Sequence, residues 1–251
     1  MTVLVAIPYY RDPEYIADAV TSVLRQTYQD LVCLVACDGE MPDAAKGQPF
    51  EAGDRLRVVW FPDNRGAPFT QQAMLYGSHH EWYAPMGADD WLDPEYIERL
   101  LSLGTSANAS GEIWHNDYEQ SLVHDRAHTE FGVFNADLLR SVGGYGIDRR
   151  CGQDTLLFED ILPHVSPIAY LDEPHYHKRL HAGSLTASPE TGYGSPYRTE
   201  VVAHNRDVAT RCAYPLGWDP VMVRNYRASL VSPEDRAVLA ERVELVKAAL
   251  A

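Results

Sequence analysis

The sequence predicts an α/β protein: a mostly parallel, Rossmann-like sheet flanked by helices, followed by a mainly helical C-terminal extension. Three observations predict it. Short runs rich in Val, Ile and Leu alternate with segments of helical period through residues 2–103, the pattern of βαβ units. Tyr9, Asp38, Asp63 and Asp89 stand at the carboxyl ends of those runs, where open α/β sheets collect ligands. The last stretch opens with Ser232-Pro233-Glu234-Asp235, a strong helix start.

In chain order, TVLVAIPYY (residues 2–10) has the apolar density of a buried strand and is interrupted by Pro8. DPEYIADAVTSVLRQTY follows as a helix, with Asp12 as cap, Pro13 in the first turn, and Ile16, Ala19, Val20, Val23 and Leu24 at helical spacing. LVCLVACDGE is a second buried strand and RLRVVWFPDN a third, separated by a loop over 41–54 rich in Pro, Gly and charge. APFTQQAMLYGSHH after Gly66 reads as a helix, EWYAPMG as a fourth strand, and DPEYIERLLSL as the next helix. Beyond residue 103 the pattern loosens. EIWHNDYEQ is a strand candidate, FGVFNADLLRSVGGY a strand or turn entering a short helix, and PIAYLDEPHYHKRLH a pair of short strands. From Ser188 onward Pro, Gly and Tyr dominate until the final helix, whose apolar positions suit packing on the body or on a second copy of the chain.

The 251 residues suffice for one large domain or a domain with an appendage. With 21 basic and 36 acidic residues the net charge is −15, which argues against broad nucleic-acid binding and against docking on an anionic bilayer by charge. Cys33, Cys37, Cys151 and Cys212 fit neither a zinc nor a disulfide framework, so reduced thiols and a cytoplasmic location are expected. No run has the length of a membrane-spanning helix, and the apolar run after Met1 is too short for a signal peptide.

The junction APMGADDWLDPEY, residues 84–96, holds two adjacent carboxylates, Asp89 and Asp90. Neighbouring like charges call for a metal, a cationic ligand or solvent. Alone, the pair reads as a cap for a helix at Pro94, where acids suit the dipole. The larger order does not. IPYYRD, a strand ending ACDGE, PDNRGAPFTQQA, MGADDWLDPEY, VGGY followed by GQDTLL, and YHKRLHAGSLT together resemble glycosyltransferase family 2, inverting nucleotide-sugar enzymes of the GT-A fold. The resemblance covers roughly residues 1–187. It implies a GT-A domain there, with a nucleotide-binding half over about 1–100 and an acceptor-binding half over about 101–187, and an extension over 188–251.

The resemblance also implies roles. Pro8, Tyr9, Tyr10, Asp38, Asn64, Arg65, Ala88 and Asp89 match the nucleotide site, and Lys178 and Arg179 the diphosphate site. Asp89 and His181 match the ligands of a divalent metal, Mn²⁺ or Mg²⁺; such hard cations take oxygen ligands and share them with phosphates. The family's Asp-x-Asp is here Gly87-Ala88-Asp89, so its first carboxylate is missing; Asp90 and Asp93 are left for capping or for supporting Asp89. Asp154, after Gly152-Gln153, matches the general base that takes the acceptor hydroxyl's proton, although the family's glutamate is Gln153 here. Trp114, Asn116, Asp117 and Gln153 fall on the acceptor side, suited to carbohydrate or another hydroxyl acceptor. The rival readings are an inactive glycan- or nucleotide-sugar-binding module of the same fold and a sugar-1-phosphate nucleotidyltransferase. The latter calls for a glycine-rich basic loop after the first strand, where this chain has PYYRDPEY.

Overall fold

A computed structural model describes residues 1–11, 13–39, 53–116, 121–123 and 128–251; the expected cap Asp12 lies outside them. Four parallel strands, β1 (Val3–Tyr9), β2 (Leu31–Asp38), β3 (Leu56–Phe61) and β4 (Trp82–Pro85), lie in the order β3-β2-β1-β4. Their runs are continuously apolar because both faces are covered. Alternate residues serve opposite faces: Val3, Val5 and Ile7 pack with Ile16, Ala19, Val20 and Val23 of α1 (Pro13–Leu24), whereas Leu4 and Ala6 pack with Ala73 and Met74 of α2 (Ala67–Gly77). The register Val3↔Leu31 through Tyr9↔Cys37 delivers Tyr9 and Asp38 to the same edge of the sheet.

The sheet continues as a mixed half built from β5 (Trp91–Leu92), β6 (Ala107–Asn116), β7 (Ser121–Val123), β8 (His128–Asn135) and β9 (Ala169–Leu180). The order runs on from β4 as β8-β6-β9-β5, with β7 beside β6. Here β4/β8, β6/β8, β6/β7 and β5/β9 are antiparallel and β6/β9 parallel. Residues 167–181, expected as two short strands, contain one twelve-residue strand, β9. Pro174 does not break it, because the β6–β9 register shifts between Ser110 and Glu112 and the partner jumps from Leu171 to Tyr176. Proline sits in that irregular stretch, where its missing N–H removes no ladder bond. The helix expected from Asp93 begins later, as α3 (Tyr96–Ser102), after the unforeseen strand β5.

Asn135 caps the short helix α4 (Ala136–Ser141), and a π-helical segment, Thr155–Ile161, runs into α5 (Leu162–Val165). The extension folds as three helices, α6 (Pro196–Ala213), α7 (Pro220–Ser229) and α8 (Pro233–Leu250). Each begins with proline in the first turn behind a side-chain cap: Ser195, Asp219 and Ser232 accept from the amides of Arg198, Met222 and Asp235. Val208, Cys212, Val223 and Val246 of these helices belong to the same apolar cluster as Leu4, Leu34, Phe134 and Phe158, so extension and sheet share a core. None of the described helices is long and apolar enough to cross a membrane.

Helix α8 lies against α2 and β3. Gly77 makes the approach possible: a Cβ there would stand 2.6 Å from Cβ of Val246. One turn away, Arg242 is 1% exposed. Its guanidinium lies 4.4 Å from the ring of Phe61 and 4.9 Å from that of Phe69. Nη1 donates to Asp38 Oδ1 at 2.8 Å, and Nη2 to Asp63 Oδ1 at 3.2 Å and to the Asp63 carbonyl.

Removing one partner of such a pair strands a buried charge, which costs about 3–5 kcal/mol. Arg242→Ala is therefore expected to lower the stability measured by urea unfolding by that amount, and a loss under ~1 kcal/mol would contradict the burial described. All four cysteines are unpaired and buried, and burial pushes the thiols of Cys33 and Cys37 up to about 12. At pH 8 only about one such thiol in ten thousand is thiolate. An aromatic disulfide reagent should leave both unmodified in the native protein and react with them only as it unfolds.

Candidate functional site

A cleft of about 770 Å³ opens beyond the carboxyl ends of β1, β2 and β4. Its size lies in the upper part of the range of small-molecule sites. Pro8, Tyr9, Tyr10, Asp38, Asn64, Ala88, Asp89, Asp154, Lys178 and Arg179 all line it. The strand ends carry the first seven, the start of the π-helical segment presents Asp154, and the end of β9 brings the two cations.

Asp89 and Asp90 part company. Asp90 is 4% exposed, accepts from Tyr176 Oη at 2.6 Å and from the Arg179 amide at 2.9 Å, and is pushed up to about 7 by burial and then by the charge on Asp89. Asp89 faces the cleft, and its Oδ2 lies 2.9 Å from Nε2 of His181, which is held beside the Tyr15 ring at 4.7 Å. The separation of 92 positions in sequence is bridged by β9, which returns next to β6 and β5. Arg179 completes the group: Nε donates to the Asp89 carbonyl at 2.9 Å, Nη2 to Asp18 at 3.2 Å, and the guanidinium sits 4.6 Å from the Tyr15 ring and 4.9 Å from Trp91.

Neither Asp90 nor Asp93 caps α3, contrary to the capping expectation; that helix starts without a side-chain cap. Asp93 instead accepts from His175 Nδ1 at 3.0 Å and His177 Nε2 at 2.9 Å. Burial pushes its carboxyl up, but the two imidazole bonds outweigh it and hold the group below its ordinary value. His177 is also 2.8 Å from His115 and stacks on Trp91 at 5.1 Å. Both acids thus fasten β9 to the β4–α3 junction.

The glycine in place of the family's first aspartate has a steric reason. A Cβ at Gly87 would press into the Asp90 carboxylate and stand 2.9 Å from Asp89 Oδ1. The Gly87 amide donates to the same Tyr176 hydroxyl that holds Asp90. With Asp90 folded inward there is no room for a side chain at 87.

Asp38 is 2% exposed and already bears three bonds: Oδ1 accepts from the Arg65 amide at 3.1 Å and from Arg242, and Oδ2 from the Gly66 amide at 2.7 Å. An ionised carboxylate offers about four acceptor positions, so one is left for a ligand. Two expected residues turn elsewhere. Arg65 does not line the cleft; its guanidinium is taken by Asp63 at 2.5 Å and by Asp235 of α8 at 3.1 Å. Gln153 is fully buried rather than on the acceptor side, with Nε2 donating to Asn205 Oδ1 at 3.2 Å. Trp114 and Asn116 sit on β6, opposite Lys178 and Leu180; their side chains, and Asp117 altogether, lie outside the described residues.

Asp154 caps the π-helical segment, its Oδ1 accepting from the Thr155 amide at 2.9 Å, and leaves Oδ2 for a ligand. The loop before it is braced by α6. Asn205 donates to the Gly152 carbonyl at 2.7 Å, the Arg150 amide donates to Tyr197 Oη at 2.9 Å, and Val201 packs where Gly152, at φ +74°, has no side chain. The remaining wall includes Phe158 and Glu159 of the π-helical segment and Gly183–Leu185 with Thr186, Ser188, Glu190, Thr191, Tyr193 and Arg198. Gly183–Thr186 belong to the quoted YHKRLHAGSLT, but the sequence reading named no site residue on this wall. Its one legible signal was Ser195-Pro196, a helix start of the same kind as Ser232-Pro233.

A model of the Glycosyl transferase family 2 matches residues 4–162, and the chain belongs to that family. It is 24% identical over 131 residues to an uncharacterized glycosyltransferase of Rickettsia typhi and 25% over 143 residues to one of a Nostoc species. These matches take in 52% and 55% of this chain, and the chain spans only 40% and 44% of the length of those relatives. Among solved structures, Staphylococcus aureus TarS 1–349 superposes with a TM-score of 0.61 at 14% identity, covering 100% of this chain and 91% of that one. Its complex with UDP-GlcNAc gives 0.62 at 15%, covering 99% and 82%. A mannosyltransferase of Pyrobaculum calidifontis in complex with GDP-Man and Mn²⁺ gives 0.57 at 13%, covering 97% and 79%. At these identities the likeness is one of fold.

Gly87→Asp, which recreates the family's Asp-x-Asp, is expected to destabilise the protein by about 1–3 kcal/mol, the usual range for overpacking. Thermal unfolding checks it, and an unchanged or higher Tm would contradict the steric account.

Proposed function

We propose that the chain is an inverting glycosyltransferase that moves a sugar from a nucleotide-diphosphate donor, a UDP-sugar in the first instance, to an acceptor hydroxyl. The observation that carries this reading is the convergence of Asp89 and Asp154 on one cleft at the strand ends, with His181, which does not line it, 2.9 Å from Asp89. The complexes of fold neighbours with UDP-GlcNAc and GDP-Man support it.

The pair suits a divalent metal. Six-coordinate Mg²⁺ binds at about 2.0–2.1 Å, so adjacent ligands stand about 3 Å apart. Asp89 Oδ2 and His181 Nε2 are 2.9 Å apart, and an imidazole beside a carboxylate also suits manganese. Asp89 and His181 would hold the ion, and when bound it supplies positive charge for the departing diphosphate. Among the described residues no group of three or more His, Cys, Asp or Glu is placed to hold a metal, so the remaining positions of such an ion would fall to phosphate oxygens and water.

Tyr10, exposed at the end of β1, offers its ring to the base, and stacking of that kind contributes ~1–3 kcal/mol. The buried Tyr9 supports it from below. The free acceptor position of Asp38 takes a base or ribose donor, Asn64 borders the same end, and Lys178 and Arg179 receive the diphosphate. Asp154 Oδ2 removes the acceptor hydroxyl's proton while that oxygen bonds to the anomeric carbon and the bond to the diphosphate breaks. Direct displacement inverts the anomeric centre and leaves no covalent intermediate.

Asp154→Asn is expected to reduce transfer at least a hundredfold, the order of a lost general base, while UDP in the presence of Mn²⁺ still raises the Tm. The raised Tm should vanish with EDTA, or with Asp89→Ala. Full activity in the Asp154 variant would remove that residue from the base role. Failure of UDP, GDP, dTDP and CDP alike to stabilise the wild type would overturn the donor reading and favour the inactive-module alternative.

A further inference from the structure

The wall of the cleft next to Asp154 carries two arginines that the donor reading does not use. Arg198, on the first turn of α6, donates from Nε to the Thr191 carbonyl at 2.8 Å and from Nη2 to the Leu185 carbonyl at 3.5 Å, and lies 5.6 Å from the ring of Tyr193. Its Nη1 points along Gly152, two residues before Asp154; a Cβ on that glycine would be 3.3 Å away. Arg150 donates from Nη1 to the Asn64 carbonyl at 3.2 Å and from Nη2 to the Asn64 side chain, and its own amide is held by Tyr197, the neighbour of Arg198. Both side chains line the cleft.

Neutral oxygens therefore fix both guanidinium groups in place, and among the described residues neither meets a carboxylate. The contrast with the other arginines at this end of the molecule is chemical. Arg65, Arg179 and Arg242 all donate to aspartates. The chain has 36 acidic residues against 21 basic ones, so acids to neutralise Arg150 and Arg198 are not scarce. A guanidinium oriented by carbonyls, with a free N–H edge in a cleft, matches a phosphate or carboxylate oxygen. The same wall presents hydroxyls and a carboxylate: Ser184 and Thr186, paired at 3.2 Å, and Glu190 line the cleft beside the exposed Tyr193 ring. That combination fits a polyol or sugar bearing an acidic group.

We propose that the acceptor is anionic: a phosphorylated polyol or sugar, whose phosphate Arg198 and Arg150 receive while one of its hydroxyls faces Asp154. This rests on the transfer reading above and names its second substrate class. The phosphate orients the hydroxyl towards the base, so the two arginines select the acceptor and Lys178 and Arg179 serve the donor.

Isothermal titration of sn-glycerol 3-phosphate and of glycerol into the protein saturated with UDP and Mn²⁺ tests it, with the nucleotide blocking the diphosphate site. The phosphate ester should bind and glycerol should not. Arg198→Gln and Arg150→Gln should each weaken the ester by about tenfold or more, as for a lost charge-assisted bond, with UDP affinity within about twofold and an unchanged far-ultraviolet spectrum. Sedimentation with phosphatidylglycerol vesicles against phosphatidylcholine vesicles tells a lipid-borne phosphate from a soluble one. Absence of ester binding to UDP-loaded wild type would overturn the proposal, as would loss of UDP affinity in Arg198→Gln, which would return that guanidinium to the donor. Failure of the transfer reading registers separately, as a wild-type protein that no nucleotide binds.

Discussion

The buried ion pair between Asp38 and Arg242 is the constraint on which the site depends. Two charges out of water cost several kcal/mol each unless they meet and their remaining bonding positions are filled. Asp38 uses two further positions for the amides of Arg65 and Gly66, and Arg242 donates to Asp63 and lies against the faces of Phe61 and Phe69, with its Nε left unpartnered. One carboxylate therefore fixes the end of β2, the turn after β3, and a helix 204 residues further along the chain. The turn leads into α2, whose first residues floor the cleft. Helix α8 is thus part of the framework of this end of the cleft.

The acids at the strand ends show how one position in a fold supports different work. Asp38 and Asp63 are tied to α8, with Asp38 keeping one acceptor position at the cleft; Asp90 is held by the Tyr176 hydroxyl; Asp89 meets the cleft beside His181. The adjacency of Asp89 and Asp90 is tolerable because Asp90, 4% exposed, accepts from the Tyr176 hydroxyl and the Arg179 amide and has its carboxyl pushed up, while Asp89 pairs with His181. The inward turn of Asp90 also fills the space a side chain at 87 would need, so the shortened motif and the doubled aspartate are one structural feature.

The parallel half was legible because local signals agree with the global fold: the runs of β1 and β2 are apolar throughout, α1 repeats its apolar residues at helical spacing, and Gly66 precedes α2. β9 was misread because Pro174 looks like a strand end unless the bulge opposite β6 is known. Helices α6 and α7 were hidden by polar composition, although Ser195-Pro196 marked the first. Asp89, Asp154, Lys178 and Arg179, which line the cleft, and His181 beside Asp89 were named through motif order; spacing alone reaches none of the long-range pairs among them. Arg65 was misplaced because its competitors, Asp63 and Asp235, include one 170 residues away. Gln153 was misplaced because only the fold shows Asn205 waiting beneath it.

That the Asp38–Arg242 pair holds α8 and the β2–β3 end of the cleft together is tested most directly by native-state hydrogen exchange of the intact protein. The Arg65 and Gly66 amides, both bonded to Asp38, should exchange with the same opening free energy and denaturant dependence as the backbone amides around Arg242. Protection of Arg65 and Gly66 that persists while α8 exchanges at a much lower free energy would contradict it.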